Sequence, residues 1–257
     1  MKKFMLDLTV KENIPLENRY FLLKLTSNDR LPEMLPGQFA EVRVDDAPTV
    51  FLRRPVSIHY VDYVNNELWL LIQIVGGGTR KLSGLRAGNT LNLLFPLGNT
   101  FKLDTGKNSR IMLIGGGAGI APLLFLGAYL KERGCQCNFL LGARTKKDLL
   151  QLHEFEKYGE VYTTTEDASH GEKGYVTQHS ILNGTHFDII YTCGPTPMMK
   201  AVAQYAEAGD IYCEASLENT MACGIGACLC CVTDTKDEGH VCVCTGGPVF
   251  NTKRLKW

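Results

Sequence analysis

Ile111-Met112-Leu113-Ile114-Gly115-Gly116-Gly117-Ala118-Gly119-Ile120-Ala121-Pro122 is the stretch at which this chain changes rhythm. Ile111–Ile114 reads as a short buried strand, residues 115–119 as a turn, and Ala121–Arg133 as a helix closed by Gly134. Pro122 suits the first helical turn, where its missing N–H is not needed. The alternation continues with strand Cys137–Leu141, helix Lys147–Tyr158 ended by Gly159, strands Val161–Thr165 and Asp188–Thr192, and helix Thr196–Ala208 ended by Gly209. Strands alternating with helices predict a parallel α/β sheet. Upstream lie short β-rich runs: Tyr20–Thr26, Gln38–Val44, Val56–Val61, Glu67–Val75 and Thr90–Phe95. Pro36-Gly37, Asn65-Asn66, Gly76-Gly77-Gly78 and Ala87-Gly88-Asn89 punctuate them, which predicts an antiparallel β-barrel or sandwich. Residues from 211 onward form a cysteine-rich module, so three parts are expected: 1–103, 104–210 and 211–257.

A glycine turn between a strand and a helix can hold a pyrophosphate. Helix N-terminal N–H groups face the phosphates, and glycine lets the backbone approach closely. Gly115, Gly117, Gly119 and Pro122 are the candidates, in a G-x-G-x-x-P pattern rather than the full dinucleotide fingerprint. The alternative is a tight βα turn with no ligand. A second strand, sharp turn and helix follow at Tyr191-Thr192-Cys193-Gly194-Pro195-Thr196. There Gly194 would let a flat ring lie on the backbone, while Cys193 alone reads as a buried strand thiol. No acidic residue marks the end of the second strand of this region. Arg144 follows it, with Lys146 and Lys147 nearby, and an arginine there can accept a 2′-phosphate. NAD and NADP both stay open on these residues.

Cys223, Cys228 and Cys231 stand at C-x4-C-x2-C spacing, and twelve residues separate Cys231 from Cys244. This is the plant-type pattern for a [2Fe–2S] cluster. Four thiolates must converge on two irons, so the chain must wrap tightly, and Gly224 and Gly226 suit that. Cys244 is expected beyond a small hairpin whose turn is Asp234–Gly239. Spacing does not decide between Cys242 and Cys244 as the fourth ligand, and Cys230 adjoins Cys231 out of register. Zinc is one alternative, but structural zinc favours two C-x2-C-like pairs. Disulfides are another, but they need an oxidising compartment.

The chain has 257 residues and ten cysteines, with 27 Lys+Arg against 27 Asp+Glu. Neutral charge without a long basic run argues against nucleic acid and anionic membranes as partners. Met1-Lys2-Lys3 begins like a signal peptide, but Asp7, Lys11 and Glu12 interrupt any apolar core. The apolar stretches 68–75 and 120–130 are too short to span a bilayer. Ten cysteines without an export signal predict a cytoplasmic location.

Within the barrel region, Phe51-Leu52-Arg53-Arg54-Pro55-Val56-Ser57-Ile58 is an arginine-rich strand entry. A guanidinium and a nearby hydroxyl can hold a diphosphate; a solvated basic turn is the plainer reading. Taken with Gly78-Thr79, the G-x-G-x-x-P turn and Cys193-Gly194-Pro195, it resembles the ferredoxin–NADP reductase superfamily over residues 1 to about 210. The resemblance implies that Arg54, Pro55, Val56, Ser57, Leu71, Ile72, Gln73, Gly78 and Thr79 bind FAD. Many members carry Arg-x-Tyr-Ser/Thr with the tyrosine on the flavin; Val56 stands here instead, so packing must differ in detail. Glu218-Asn219-Thr220-Met221-Ala222-Cys223-Gly224-Ile225-Gly226-Ala227-Cys228 and the ending Cys244-Thr245-Gly246-Gly247-Pro248-Val249-Phe250 extend the resemblance. The whole chain is similar to the electron-transfer subunits of class 1B dihydroorotate dehydrogenases.

That resemblance implies a ferredoxin reductase-like architecture: a β-barrel FAD domain, an α/β parallel-sheet nucleotide domain and a small [2Fe–2S] module. It implies Cys223, Cys228, Cys231 and Cys244 as ligands, FAD and NAD as cofactors, and a role in pyrimidine biosynthesis. It also implies an FMN-containing, dihydroorotate-oxidising partner in a heterotetramer with two copies of each subunit. No acid or base for dihydroorotate is needed in this chain. Two rival readings are an electron-transfer subunit of a ferredoxin:NAD(P), sulfide or hydrogenase system, and a zinc-stabilised regulatory nucleotide-binding protein.

Overall fold

A computed structural model describes every residue except Met1 and Asn18. The first region is a curled seven-stranded antiparallel sheet. Its strands are β1 (Phe4–Leu16), β2 (Tyr20–Thr26), β3 (Phe39–Val42), β4 (Arg54–Ser57), β5 (Tyr60–Asp62), β6 (Glu67–Gln73) and β7 (Thr90–Leu97), with the helix α1 (Gly77–Ser83) between the last two. The order is β4-β3-β7-β1-β2-β6-β5, and the curl brings edge strand β4 against β6. Leu8, Leu23, Leu25, Val42, Leu68, Leu70 and Phe95 fill the interior. Each such side chain contributes about 1.5–3 kcal/mol of burial.

Three local expectations change here. β1, the longest strand, was not among the expected runs; Asp7, Lys11 and Glu12 stand on its exposed positions and mask the alternation. The expected strand Val56–Val61 is two strands, β4 and β5, separated at Ile58 and His59. Gly76–Gly78 is not only a turn, because α1 starts there. The Thr79 hydroxyl accepts the N–H groups of Val75 at 2.9 Å and Gly76 at 3.2 Å, which fixes the first turn.

The second region is a sheet of order β11-β10-β9-β8-β12-β13-β16. Its strands are β8 (Arg110–Gly116), β9 (Gln136–Ala143), β10 (Glu160–Thr165), β11 (Glu172–Lys173), β12 (Ile189–Cys193) and β13 (Tyr212–Ser216), all parallel, and the antiparallel β16 (Val249–Asn251). The helices α2 (Ala121–Glu132) and α4 (Thr196–Ala208) pack on it. The sheet therefore runs past residue 210, and the end of the chain returns to it. The helix expected over 147–158 is only a 3-10 turn at Lys146–Asp148 and a single turn, α3 (Leu152–Phe155). Gln151, left-handed at φ 53°, interrupts it, and its side-chain oxygen meets His59 Nε2 at 2.8 Å. Docking to the barrel overrides helix propensity at that point.

The two regions share one core. β2 turns Phe21, Leu23 and Leu25 into the barrel, and Tyr20 and Leu22 outward against Ile120, Leu123 and Leu124. The cysteine segment adds the hairpin β14 (Val232–Thr235) and β15 (Gly239–Cys242), then one helical turn, α5 (Val243–Gly246). It packs Met221, Cys231, Val243 and Cys244 against Phe39 and Leu97 of the barrel and Phe250 of β16. Among the described residues, no helix is long and apolar enough to cross a membrane.

Candidate functional site

A cleft of 740 Å³ opens between the barrel and the C-terminal edge of the parallel sheet. Its floor is the pair of glycine turns. β8 and β12 are adjacent and in register, Cys193 opposite Gly115, so both turns leave the sheet side by side. They touch so closely that a Cβ on Gly119 would lie 2.4 Å from the Cys193 carbonyl oxygen and from Gly194. Gly117 is left-handed at φ 59°, a further reason for glycine. Gly117, Gly119, Gly194 and Pro195 line the cleft. Gly115 lies beneath the turn, where a Cβ would meet Leu123 at 2.8 Å, and Pro122 is buried in the first turn of α2. Cys193 is fully buried, and burial pushes its thiol well above the ordinary range.

Several cleft residues had no counterpart in the sequence reading. Tyr20 reaches in from the barrel beside the expected Gln73. Glu218, just beyond β13, lines the same space. Glu166 follows the third parallel strand in sequence, β10, and shares the cleft with Arg144. Their segments are tied: Glu166 N–H donates to the Ala143 carbonyl at 3.2 Å, and Asp167 N–H to the Arg144 carbonyl at 3.3 Å. An acidic residue thus stands at the cleft one strand later than the search position. The sign that could have found it is the Thr165-Glu166 strand end.

The Arg54 segment and the Gly78-Thr79 segment, 24 positions apart in sequence, meet. A Cβ on Gly78 would lie 2.7 Å from Arg54 Nε, so the guanidinium rests over α1 in the space that a side chain there would take. Pro55 is exposed and Ser57 half-buried, whereas Val56 turns into the barrel core. Leu71 and Ile72 are buried strand residues, and only Gln73 of that trio reaches the cleft. An arginine over a glycine-opened helix start, beside an exposed strand edge, suits a diphosphate and its attached sugar.

The cysteine loop has little regular structure. Gly224 and Gly226 take φ 67° and 84°, and Leu229 takes 57°. The loop turns N–H groups toward sulfur: Ile225 N–H to Cys223 at 3.5 Å, Gly226 N–H to Cys244 at 3.2 Å, and Cys244 N–H to Cys231 at 3.3 Å. The Ile225 N–H is the first cause holding the Cys223 thiol down at about 6. Burial is the first cause pushing Cys244 up to about 12. Cys223 lies beside Cys228, and Cys231 lies beside both Cys244 and Cys242. Among the described residues, no three His, Cys, Asp or Glu side chains converge as a single-ion site. Thiols gathered on one loop with N–H groups turned toward sulfur are the donor set of a two-iron cluster. Cys230 is exposed; Cys242 is half-buried at the hairpin end, without the Gly226 N–H that Cys244 receives.

Comparison with known proteins follows these regions. Residues 218–256 match the family described as the iron-sulfur cluster binding domain of dihydroorotate dehydrogenase B, and residues 113–204 match an oxidoreductase NAD-binding domain. The dihydroorotate dehydrogenase B (NAD(+)) electron transfer subunit of Bacillus velezensis is 38% identical over 253 residues, 96% of this chain and 97% of that one. Its Fusobacterium nucleatum counterpart is 38% identical over 250 residues, 95% of each. Among solved structures, an NADH-dependent reduced ferredoxin-NADP oxidoreductase aligns with a TM-score of 0.87 at 29% identity, covering 97% of this chain and 90% of that one. The ferredoxin reductase of carbazole 1,9a-dioxygenase shares the fold, with a TM-score of 0.70 at 22% identity over 82% of this chain and 67% of that one.

Proposed function

The chain belongs to the electron transfer subunits of NAD(+)-dependent dihydroorotate dehydrogenase B, and on that premise we propose that it carries electrons from a dihydroorotate-oxidising partner subunit to NAD+, with a [2Fe–2S] cluster and FAD as its resident carriers. The observation that carries the reading is the seat of the cysteine loop: Gly224 lies against Glu41 of β3, and β3 pairs with the Arg54–Ser57 strand. A thiol site and a diphosphate-binding edge thus share one piece of sheet. When bound, FAD exchanges two electrons with a nicotinamide and single electrons with an iron–sulfur cluster.

The residues divide the work. Cys223, Cys228, Cys231 and Cys244 ligate iron, and the N–H groups of Ile225, Gly226 and Cys244 offset charge on their sulfurs. Arg54 neutralises the FAD diphosphate, and Pro55, Val56, Ser57, Gln73, Gly78 and Thr79 shape its strip. Gly117, Gly119, Gly194 and Pro195 admit the dinucleotide to the backbone, with Gly115, Pro122 and Cys193 packed beneath or behind them. Glu166 accepts hydrogen bonds from the adenosine ribose, and its charge opposes a 2′-phosphate, which favours NAD. In the same reading the partner carries FMN, and the assembly holds two copies of each subunit.

The test is anaerobic co-purification from the native host, with mass spectrometry of what stays bound. A co-purifying FMN protein whose complex reduces NAD+ with dihydroorotate is the expected result. A complex that reduces NAD+ only from a ferredoxin or a sulfur compound would overturn the partner assignment while leaving the carriers in place.

A further inference from the structure

Glu41 is a position where the strand pattern and the residue disagree. In β3, Ala40 and Val42 turn into the barrel core, and Phe39 turns outward against Leu97, Met221, Cys231 and Cys244. Glu41 shares Phe39's side of the strand, where an apolar residue would suit the packing. It is nevertheless a glutamate, with 0% exposure and, among the described residues, no hydrogen-bond partner for either carboxyl oxygen. The two nearest cations are spent elsewhere. Arg53 donates to the Glu41 main-chain oxygen at 3.2 Å and to Asn92 Oδ1 at 2.6 Å. Arg54 donates to the carbonyls of Leu52 and Arg53. A buried carboxyl left unpaired is costly, and it calls for an explanation.

Its neighbours supply one. A Cβ on Gly224 would lie 2.7 Å from Glu41 Cγ and 3.3 Å from its Oε1, so the carboxyl is pressed against the loop between Cys223 and Cys228. On the other side, strand register pairs Glu41 with Pro55 and Phe39 with Ser57, so these four residues share one face. The carboxyl therefore stands between the FAD-binding edge and the cysteine loop.

We propose that Glu41 is a tuning residue: its fixed carboxyl, seated under the cluster loop on the FAD side, lowers the reduction potential of the [2Fe–2S] site. The inference rests on the cluster and FAD assignment above. Burial pushes the Glu41 carboxyl up to about 7, so the potentials are compared at about pH 8.5, where it is ionised; there, adding an electron next to a buried negative group is opposed, and low dielectric strengthens the opposition.

The experiment is an anaerobic redox titration of the complete chain followed by electron paramagnetic resonance, comparing wild type, Glu41→Gln and Glu41→Asp. Iron, acid-labile sulfide and FAD are measured on each. The Gln variant keeps the shape and loses the charge. It is expected to hold wild-type iron, sulfide and FAD, and to favour the reduced cluster about tenfold more, a rise of about 59 mV. The Asp variant is expected to stay close to wild type. A Gln variant with an unchanged potential overturns the proposal, as do equal shifts in Gln and Asp, which would mean packing alone. Loss of the cluster in the Gln variant also overturns it, by making Glu41 a prop for the loop. Wild type without iron and sulfide would instead defeat the underlying cluster assignment.

Discussion

The two binding regions are built on opposite plans. The dinucleotide cleft hangs on paired strands, and its most confined glycine is demanded by neighbours: at Gly119 the Cys193-Gly194 backbone already occupies the place of a side chain. The cysteine loop has almost no strand or helix, and its glycines are demanded by their own positive φ. The cleft is thus held by hydrogen-bonded sheet and core packing whether or not a nucleotide is present. The loop is anchored at its ends by Met221, Cys231 and Cys244 against the barrel, and between them it is held by a few N–H to sulfur contacts and, when loaded, by iron–thiolate bonds. A preformed site should tolerate loss of its ligand, and a ligand-held site should not.

Cys228→Ser should break the comparison most visibly. Loss of one exposed thiolate is expected to abolish the cluster and lower dihydroorotate-driven NAD+ reduction by about 100-fold or more, because losing a group bonded to iron outweighs losing a hydrogen bond to that group. FAD content and NADH oxidation by an artificial acceptor should survive. FAD loss alongside iron would mean the two regions do not stand independently.

Gly119→Ala attacks the other plan. Its methyl group has no room against backbone, so about 1–3 kcal/mol of stability should be lost. The melting temperature would fall and NADH binding weaken, with iron and sulfide unchanged. An unaffected melting temperature would show that the turns can separate.

Glu166→Gln sharpens the picture of the cleft mouth. Its preference for NADH over NADPH, read as the ratio of dissociation constants, should shrink about tenfold, one charge-assisted hydrogen bond being worth about 1.5–3 kcal/mol. Should Arg144 dominate instead, the ratio would not move.

The smallest effect concerns the joint between barrel and cleft. His59 is buried, with Nδ1 at 2.8 Å from the Ala121 carbonyl and Nε2 at 2.8 Å from Gln151. Burial is the first cause lowering its basicity, so the folded imidazole stays neutral. The unfolded chain takes up a proton below about pH 6.5 and the folded chain does not. Stability from this group is complete above that pH and falls as the pH drops, by at most about 1.4 kcal/mol per unit. Urea unfolding at pH 7.5 and 5.5 should show a steeper loss in wild type than in His59→Gln; equal slopes would remove His59 from the account.

The cysteine register was legible in sequence because ligand spacing is short-range chemistry. Both glycine turns were legible because each is a local strand-to-helix junction. β1 was not, since its charges occupy the exposed face and hide the period of two. The helix expected over 147–158 failed for the opposite reason: periodicity favoured it, and a contact from His59, 92 positions upstream of Gln151, broke it.

Sequence by itself determined the order of parts, the C-x4-C-x2-C register of three candidate thiolates, the glycine turns and the arginine segment, because each depends on neighbours within a few residues. Only the tertiary structure decided that Tyr20, Glu166 and Glu218 share the cleft, and that Arg54 lies over Gly78. It also decided that the final strand, β16, returns to the sheet and that Glu41 meets the cysteine loop. These are contacts between distant segments, set by sheet order and shared cores, and no local pattern encodes them.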